Sequence, residues 1–296
     1  MDAIESFRLP SPKGEVPSAR VEVDIGALSH QGKVRRNNED HFLVLQFDRT
    51  MRSLLTNLPP GRVPDRYQET GYGMVVADGM GGAAAGEVAS QLAIGSLIDL
   101  VLRTPDWIMR FDELRAREVL LRIDQRFQQV SQMVLERAEA NPLLAGMGTT
   151  MTAACSLGKD MVIAHVGDSR VYLFRNGRLH RLTRDHTMAQ ALADAGVIGQ
   201  DAVDTHPMRH VLTQAIGTKD TKTEAELGMV ELVDGDQVLL CTDGLTEAAS
   251  ADGIIETLRT PGHSADVCRG LVDQALAGGG PDNVTVVLAR YRMPHA

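Results

Sequence analysis

Three times in this chain an apolar run ends on an aspartate set in a glycine-containing turn. Val75-Val76-Ala77 runs into Asp78-Gly79, Ala164-His165-Val166 into Gly167-Asp168, and Leu239-Leu240-Cys241-Thr242 into Asp243-Gly244. A fourth aspartate, Asp282, stands the other way round, just before the apolar run Val284 to Leu288. Strand ends are rigid, so a fold that gathers these ends at one edge of a sheet gathers their carboxylates too. Such carboxylates repel strongly unless cations sit between them.

The pattern between these points predicts the elements. Val21, Val23 and Ile25 alternate with Glu22 and Asp24, a half-buried strand, and a second follows at His41 to Phe47. Gly73 to Ala77 is a short apolar strand, and residues 84–102 read as a helix. Leu120, Ile123, Phe127, Val130 and Val134 mark one face of a second, amphipathic helix. Strands are expected at Thr150 to Ser156, Met161 to Val166 and Arg170 to Arg175, the last closed by the hairpin turn Asn176-Gly177 onto Arg178 to Leu182. A short helix near Met188 to Ala195 precedes strands at Ala225 to Val233 and Gln237 to Cys241, joined by Asp234-Gly235. A helix at Ser264 to Ala277 leads to a last strand, Val284 to Tyr291.

Residues 48–71 hold no clear period and contain Pro59, Pro60, Gly61 and Pro64, which reads as a long surface loop insertion. Residues 1–20 read as a flexible leader and 292–296 as a tail. Strands in hairpin-like runs, with helices in separate blocks, favour an antiparallel α+β architecture over a doubly wound parallel sheet.

Composition narrows the function. A net charge of −9 over 296 residues, with no clustered Lys/Arg surface, argues against a nucleic-acid partner. The longest apolar region, Val88 to Leu102, is broken by Ser90, Gln91, Ser96 and Asp99, so no membrane span is expected. Met1 to Arg20 lacks the apolar core of a secretory signal. Cys155, Cys241 and Cys268 are too few and scattered for a disulfide framework or a zinc cluster, which points to a reducing, cytoplasmic compartment.

Convergent carboxylates select hard divalent ions, Mg²⁺ or Mn²⁺. Glycine beside aspartate lets a backbone carbonyl approach such an ion. Two ions can bridge a water, lower its pKa and clamp a phosphoryl group. Taken singly, the signals are weak. A lone Asp-Gly after a strand is usually a turn, as Asp234-Gly235-Asp236 is read here. His165 reads as a core histidine, and Arg35 and Arg36 alone as a solvated face.

Taken in order, Arg35-x-x-Asn38-Glu39-Asp40, Asp78-Gly79-Met80-Gly81-Gly82, Gly148-Thr149-Thr150, Gly167-Asp168-Ser169-Arg170, Thr242-Asp243-Gly244 and Asp282-Asn283 form a joint signature. From about Val21 to Tyr291 the chain resembles the metal-dependent protein serine/threonine phosphatases (PPM family, protein phosphatase type 2C) in their bacterial form. The resemblance implies a sandwich of two antiparallel β-sheets flanked on both sides by α-helices, a four-layer αββα α+β fold, with a small flap subdomain at 186–220. It also implies a catalytic domain over 21–291.

By the same resemblance Asp78 bridges two core metals, Gly79 ligates through its carbonyl, and Asp243 and Asp282 hold the first metal. Glu39 and Asp40 orient metal-bound waters, Asp168 with Asp243 takes a third, weaker ion, and Arg35 binds the substrate phosphate. Phosphorylated proteins, Ser/Thr kinases and their targets are the implied partners of a monomer. The chain departs from animal members at Met80, where they carry a histidine proposed as general acid. Two other readings remain: an inactive phosphoprotein-binding homologue, and a dedicated regulatory phosphatase of an anti-sigma pathway. The chain has no Cys-x₅-Arg signature and no P-loop.

Overall fold

In the computed structural model, residues 21–59, 61–63, 65–81, 85–103, 113–219 and 223–293 are described. The leader 1–20 lies outside them. The chain runs β1 (Glu22–His30), β2 (Asp40–Arg52), β3 (Arg66–Met80), α1 (Ala85–Arg103), α2 (Glu113–Ala140), β4 (Gly148–Thr149), β5 (Met151–Leu157), β6 (Asp160–Val166), β7 (Arg170–Arg175) and β8 (Arg178–Arg181). It continues through α3 (Met188–Asp194), β9 (Glu226–Glu231), β10 (Gln237–Cys241), α4 (Asp243–Ala248), α5 (Ala251–Arg259), α6 (Ser264–Ala277) and β11 (Val284–Arg292).

Two sheets form, with orders β1-β11-β10-β7-β8 and β2-β3-β5-β6-β9, and β4 joins β3 off the second path. Every pairing is antiparallel. The strand period of two sorts side chains into layers. Met74 and Val76 point between the sheets, where they join Ile163, Val171, Leu240 and Val287. Their neighbours Val75 and Ala77 face out against α1 and α2, beneath Ala89, Ala93, Phe127 and Val134. On the other sheet Leu239, Cys241, Val286 and Leu288 face α4, α5 and α6. The αββα sandwich implied by the resemblance is what the chain adopts.

The expectation for 48–71 is overturned. β2 and β3 pair without interruption from Asp40↔Asp78 to Arg52↔Arg66, so only the tip between them is a loop. The outer half of this hairpin carries no apolar period, and among the described residues no helix layer covers it. The ladder itself holds it, with Thr70 Oγ1 donating to Asp48 (2.6 Å) and Arg49 pairing with Glu69 (3.4 Å). Phe47 lies across Gly71, where a Cβ would collide with its ring. A second correction concerns Asp234-Gly235. The strands it joins do not pair, because β9 lies in one sheet on β6 and β10 in the other between β7 and β11. The turn is a crossing between layers, locked by buried Asp236, which accepts from both Arg175 Nε (2.8 Å) and Nη2 (2.6 Å).

α1 is by length and apolar content alone long enough to cross a membrane, as many core helices are. In the fold its small-residue stripe, Ala85, Ala89 and Ala93, is buried in the core beside Val75 and Ala77 of β3. α4 and α5 were not anticipated. α4 begins on Asp243 itself and turns the metal-ligand candidate into the first residue of a helix.

Candidate metal centre

The ends of β2, β3, β10 and β11 meet at one edge of the sandwich. Asp40 lies opposite Asp78 in the β2–β3 ladder, and Cys241 lies opposite Val286 in the β10–β11 ladder. These registers bring together what the sequence holds two hundred residues apart. Thr242 Oγ1 donates to Asp40 Oδ2 (2.8 Å) and accepts from the Thr285 amide (3.0 Å). Asn283 accepts from the Glu39 amide (2.8 Å) and donates to the Gln31 and Asn37 carbonyls (2.8 Å each). Asn283 therefore fixes the segment between β1 and β2 against the start of β11.

Asp78 is held by its backbone. Its amide donates to Thr150 Oγ1 (3.0 Å), and its carbonyl accepts from the Thr150 amide and from Thr149 Oγ1 (2.8 Å each). Its side chain is thus left to the site. Gly79 donates to the Glu39 carbonyl (3.2 Å), and a Cβ there would overlap the Gly86 carbonyl of α1. Only glycine lets helix, strand and Glu39 segment close so tightly. Gly167, at φ +115, bends the chain so that Asp168 enters from the opposite sheet junction.

A cleft of about 790 Å³ opens on this edge. Arg35, Glu39, Asp78, Gly79, Asp168, Asp243 and Asp282 all line it. Asp40 lies beneath its floor, 3% exposed. The structure thus brings together every site residue expected from sequence. Arg35 is placed somewhat differently: its Nη2 donates to Asp282 Oδ2 at 2.5 Å, and this pairing raises the guanidinium pKa.

The carboxylates are in mutual conflict. Burial first, then the charges of Asp243 and Asp282, push Asp40 up to about 7. Burial and the charges of Glu247 and Asp282 push Asp243 up to about 6. Asp78 and Asp168 lie well above the usual carboxylate range, through burial and then neighbouring aspartates. Asp40 Oδ1 and Asp243 Oδ1 are buried without a hydrogen-bond partner. Orphaned buried oxygens among repelling acids are costly unless positive charge is supplied.

Sequence reasoning missed several residues here. Glu247 is one turn after Asp243 on α4 and pairs with His210 Nδ1 (2.7 Å); recognising the helix would have placed it on that face. Ser90, which donates to the Glu39 carbonyl (2.7 Å), carries no sequence signal, and Thr242 and Asn283, though part of the signature, had no role assigned to them. The segment after β8 comes back across the cleft as Leu212 to Ala215, bridged at Thr187↔Leu212 and Thr149↔Ile216. A second, smaller cleft of about 410 Å³ adjoins the first and shares Asp168, His210, Asp243 and Glu247 with it. His165 is a core residue, fully buried, with Nδ1 on Thr152 Oγ1 (2.8 Å).

Two antiparallel sheets between helix layers, with a cleft rich in carboxylates at one edge, define the architectural class of the metal-dependent phosphatases. A family model described as Protein phosphatase 2C matches residues 65–274, and the chain belongs to that family. It is 40% identical over 216 residues to serine/threonine protein phosphatase PstP of Mycobacterium tuberculosis, covering 73% of this chain and 40% of PstP. The chain therefore spans about two fifths of that relative's length. Protein phosphatase PhpP of Streptococcus pneumoniae is 31% identical over 276 residues, 90% of this chain and 96% of PhpP. The crystal structure of the PstP catalytic domain in complex with two manganese ions aligns with a TM-score of 0.70 at 34% identity, over 92% of this chain and 99% of that one.

Proposed function

We propose that the chain is a Mg²⁺- or Mn²⁺-dependent phosphatase of phosphoserine and phosphothreonine in proteins, opposing Ser/Thr kinases. The observation that carries this is the buried acidic cluster around one cleft, with unpartnered oxygens on Asp40 and Asp243 and an arginine at its rim. The donor set fits hard divalent ions: it is all oxygen and densely anionic. Asp78, the Gly79 carbonyl, Asp243 and Asp282 would hold two core ions, Glu39 and Asp40 would orient their waters, and Asp168 with Asp243 would hold a third. When bound, such ions supply a nucleophilic water at neutral pH and neutralise charge on the phosphoryl oxygens.

The chain's own groups do the rest. The Arg35 side chain, 55% exposed, is long enough to turn from Asp282 to a phosphoryl group, where its planar fork matches two oxygens. Asn283 and Thr242 keep Glu39 and Asp40 from moving as charge changes in the cleft. Met80 lines the cleft where animal members carry histidine and has no proton to give. Residues 21–291 are read as the catalytic domain and 186–220 as a flap over the cleft. The unbridged Cys155, Cys241 and Cys268 support a cytoplasmic setting.

The test is hydrolysis of phosphoserine and phosphothreonine peptides with metal controlled. Chelation should abolish turnover and Mn²⁺ or Mg²⁺ restore it, while Asp78→Asn and Asp243→Asn remain folded and lose nearly all activity. Calorimetric Mn²⁺ titration of the same variants should show loss of tight binding. Full activity in chelator on metal-stripped protein would sink this reading.

A further inference from the structure

The outer end of the β2–β3 hairpin takes no part in the cleft or in any of the three hydrophobic cores. From Asp40↔Asp78 the ladder runs to Arg52↔Arg66, and Ser53 N still donates to the Asp65 carbonyl (2.9 Å). At about 3.4 Å per residue the tip stands about 40 Å from the acidic edge. Its side chains are not those of an ordinary loop. Leu54 is 80% exposed, Leu55 97%, Leu58 50% and Met51 52%. Among and beside these apolar residues stand Arg52, Arg62 and Arg66, with Asp65 the one acid in 50–66, on a chain whose net charge is −9, while Arg49 further down the ladder is already paired with Glu69.

We propose that this hairpin tip docks on an anionic lipid surface, with Leu54, Leu55 and Leu58 entering the interface and Arg52, Arg62 and Arg66 at headgroup level. Three observations favour a bilayer over a protein partner. The apolar residues crown a narrow projection, and among the described residues neither of the two clefts includes them, so they are offered at a tip and not in a groove. The charges trail the leucines on both strands, the order in which apolar tips and basic residues meet a membrane interface. The local positive charge opposes the sign of the whole chain, so attraction to an anionic surface would orient the molecule tip first. The β2–β3 register then holds the acidic edge away from the surface, open to substrates. This contact is peripheral and needs no spanning segment. It is also independent of the catalytic reading.

The experiment is co-flotation of the full chain with vesicles of phosphatidylcholine containing phosphatidylglycerol, against vesicles of phosphatidylcholine alone. The wild-type chain should float with the anionic vesicles and be released by salt. Arg52→Glu and Arg62→Glu should each weaken binding on the order of fivefold, the equivalent of about 1 kcal/mol per basic residue near such a surface. Leu54→Ser with Leu55→Ser should abolish it. These positions are remote from the cleft, so thermal stability and hydrolysis of a small aryl phosphate should stay at wild-type levels and show that the variants are folded. The proposal falls if the wild-type chain does not float. It falls equally if the double serine variant floats as well as wild type, or if an acidic protein binds the tip while anionic vesicles do not.

Discussion

At the scale of single residues, the candidate centre is a problem in where charge goes. Arg35 answers part of it by pairing with Asp282, while Asp40 and Asp243 each keep a buried oxygen without a partner. If Arg35 serves the phosphate, removing its fork takes away binding more than chemistry. Arg35→Ala should raise KM for a phosphopeptide well above any fall in kcat, with a total loss of about 2–3 kcal/mol at most. Steady-state kinetics on a phosphothreonine peptide decide this; an unchanged KM removes Arg35 from the phosphate site. The aspartates and Arg35 were legible in the sequence because each lies in a short motif with its own turn or strand. Asn283 was legible only as a neighbour of Asp282, since its role depends on the Glu39 amide brought to it by the β1–β11 pairing.

At the scale of elements, the segment that returns over the cleft is tied down at its root. His186 N donates to the Gly167 carbonyl (2.7 Å), and Gly167 N donates back to His186 Nδ1 (3.2 Å). The His186 carbonyl accepts from Thr213 N (2.8 Å) on the returning segment, and Arg170 grips Asp185 through Nε (3.2 Å) and Nη2 (2.7 Å). The turn carrying Asp168 and the cover over the cleft thus share one anchor. His186→Ala leaves the Gly167 amide part-buried and unpaired, which should cost about 1–3 kcal/mol of stability. Amide exchange at Gly167 and in residues 211–216 should speed up. His186→Asn, whose Oδ1 can take the place of Nδ1, should recover most of both. Denaturant melts and hydrogen exchange read the two effects; equal exchange in all three proteins would show that the ring does not anchor the turn.

At the scale of the whole molecule, the sandwich concentrates like charge at one edge, which couples stability to pH and metal. Asp40 and Asp243, at about 7 and about 6, hold their protons far above the ordinary aspartate value of 3.8. Between those values the folded, metal-free chain binds more protons than the unfolded one, so its stability must fall as pH rises. Thermal melts in chelator should show this decline from about pH 4 to about pH 7, amounting to a few kcal/mol. Divalent metal should raise stability most near and above pH 7, where the carboxylates are ionised. Melts that are flat over this range in chelator would contradict the geometry of a mutually repelling cluster.

The sequence alone determined the strand cores, the antiparallel preference and the identity of the acids, because period-two apolar runs and Asp-Gly turns are local signals. Asn176-Gly177, at φ 52 and φ 75, closes β7 onto β8 as its sequence requires. The resemblance added the layer order. Tertiary structure decided what locality cannot carry. Residues 48–71 lack an apolar period, yet their backbone pairs as a strand ladder whose stability comes from its partner and not from burial. Asp234-Gly235 looks like a hairpin turn, but β9 and β10 each find better partners in opposite sheets. The cleft itself exists only because the β2–β3 and β10–β11 registers place Asp40 opposite Asp78 and Thr242 beside Asp40, across two hundred residues of chain.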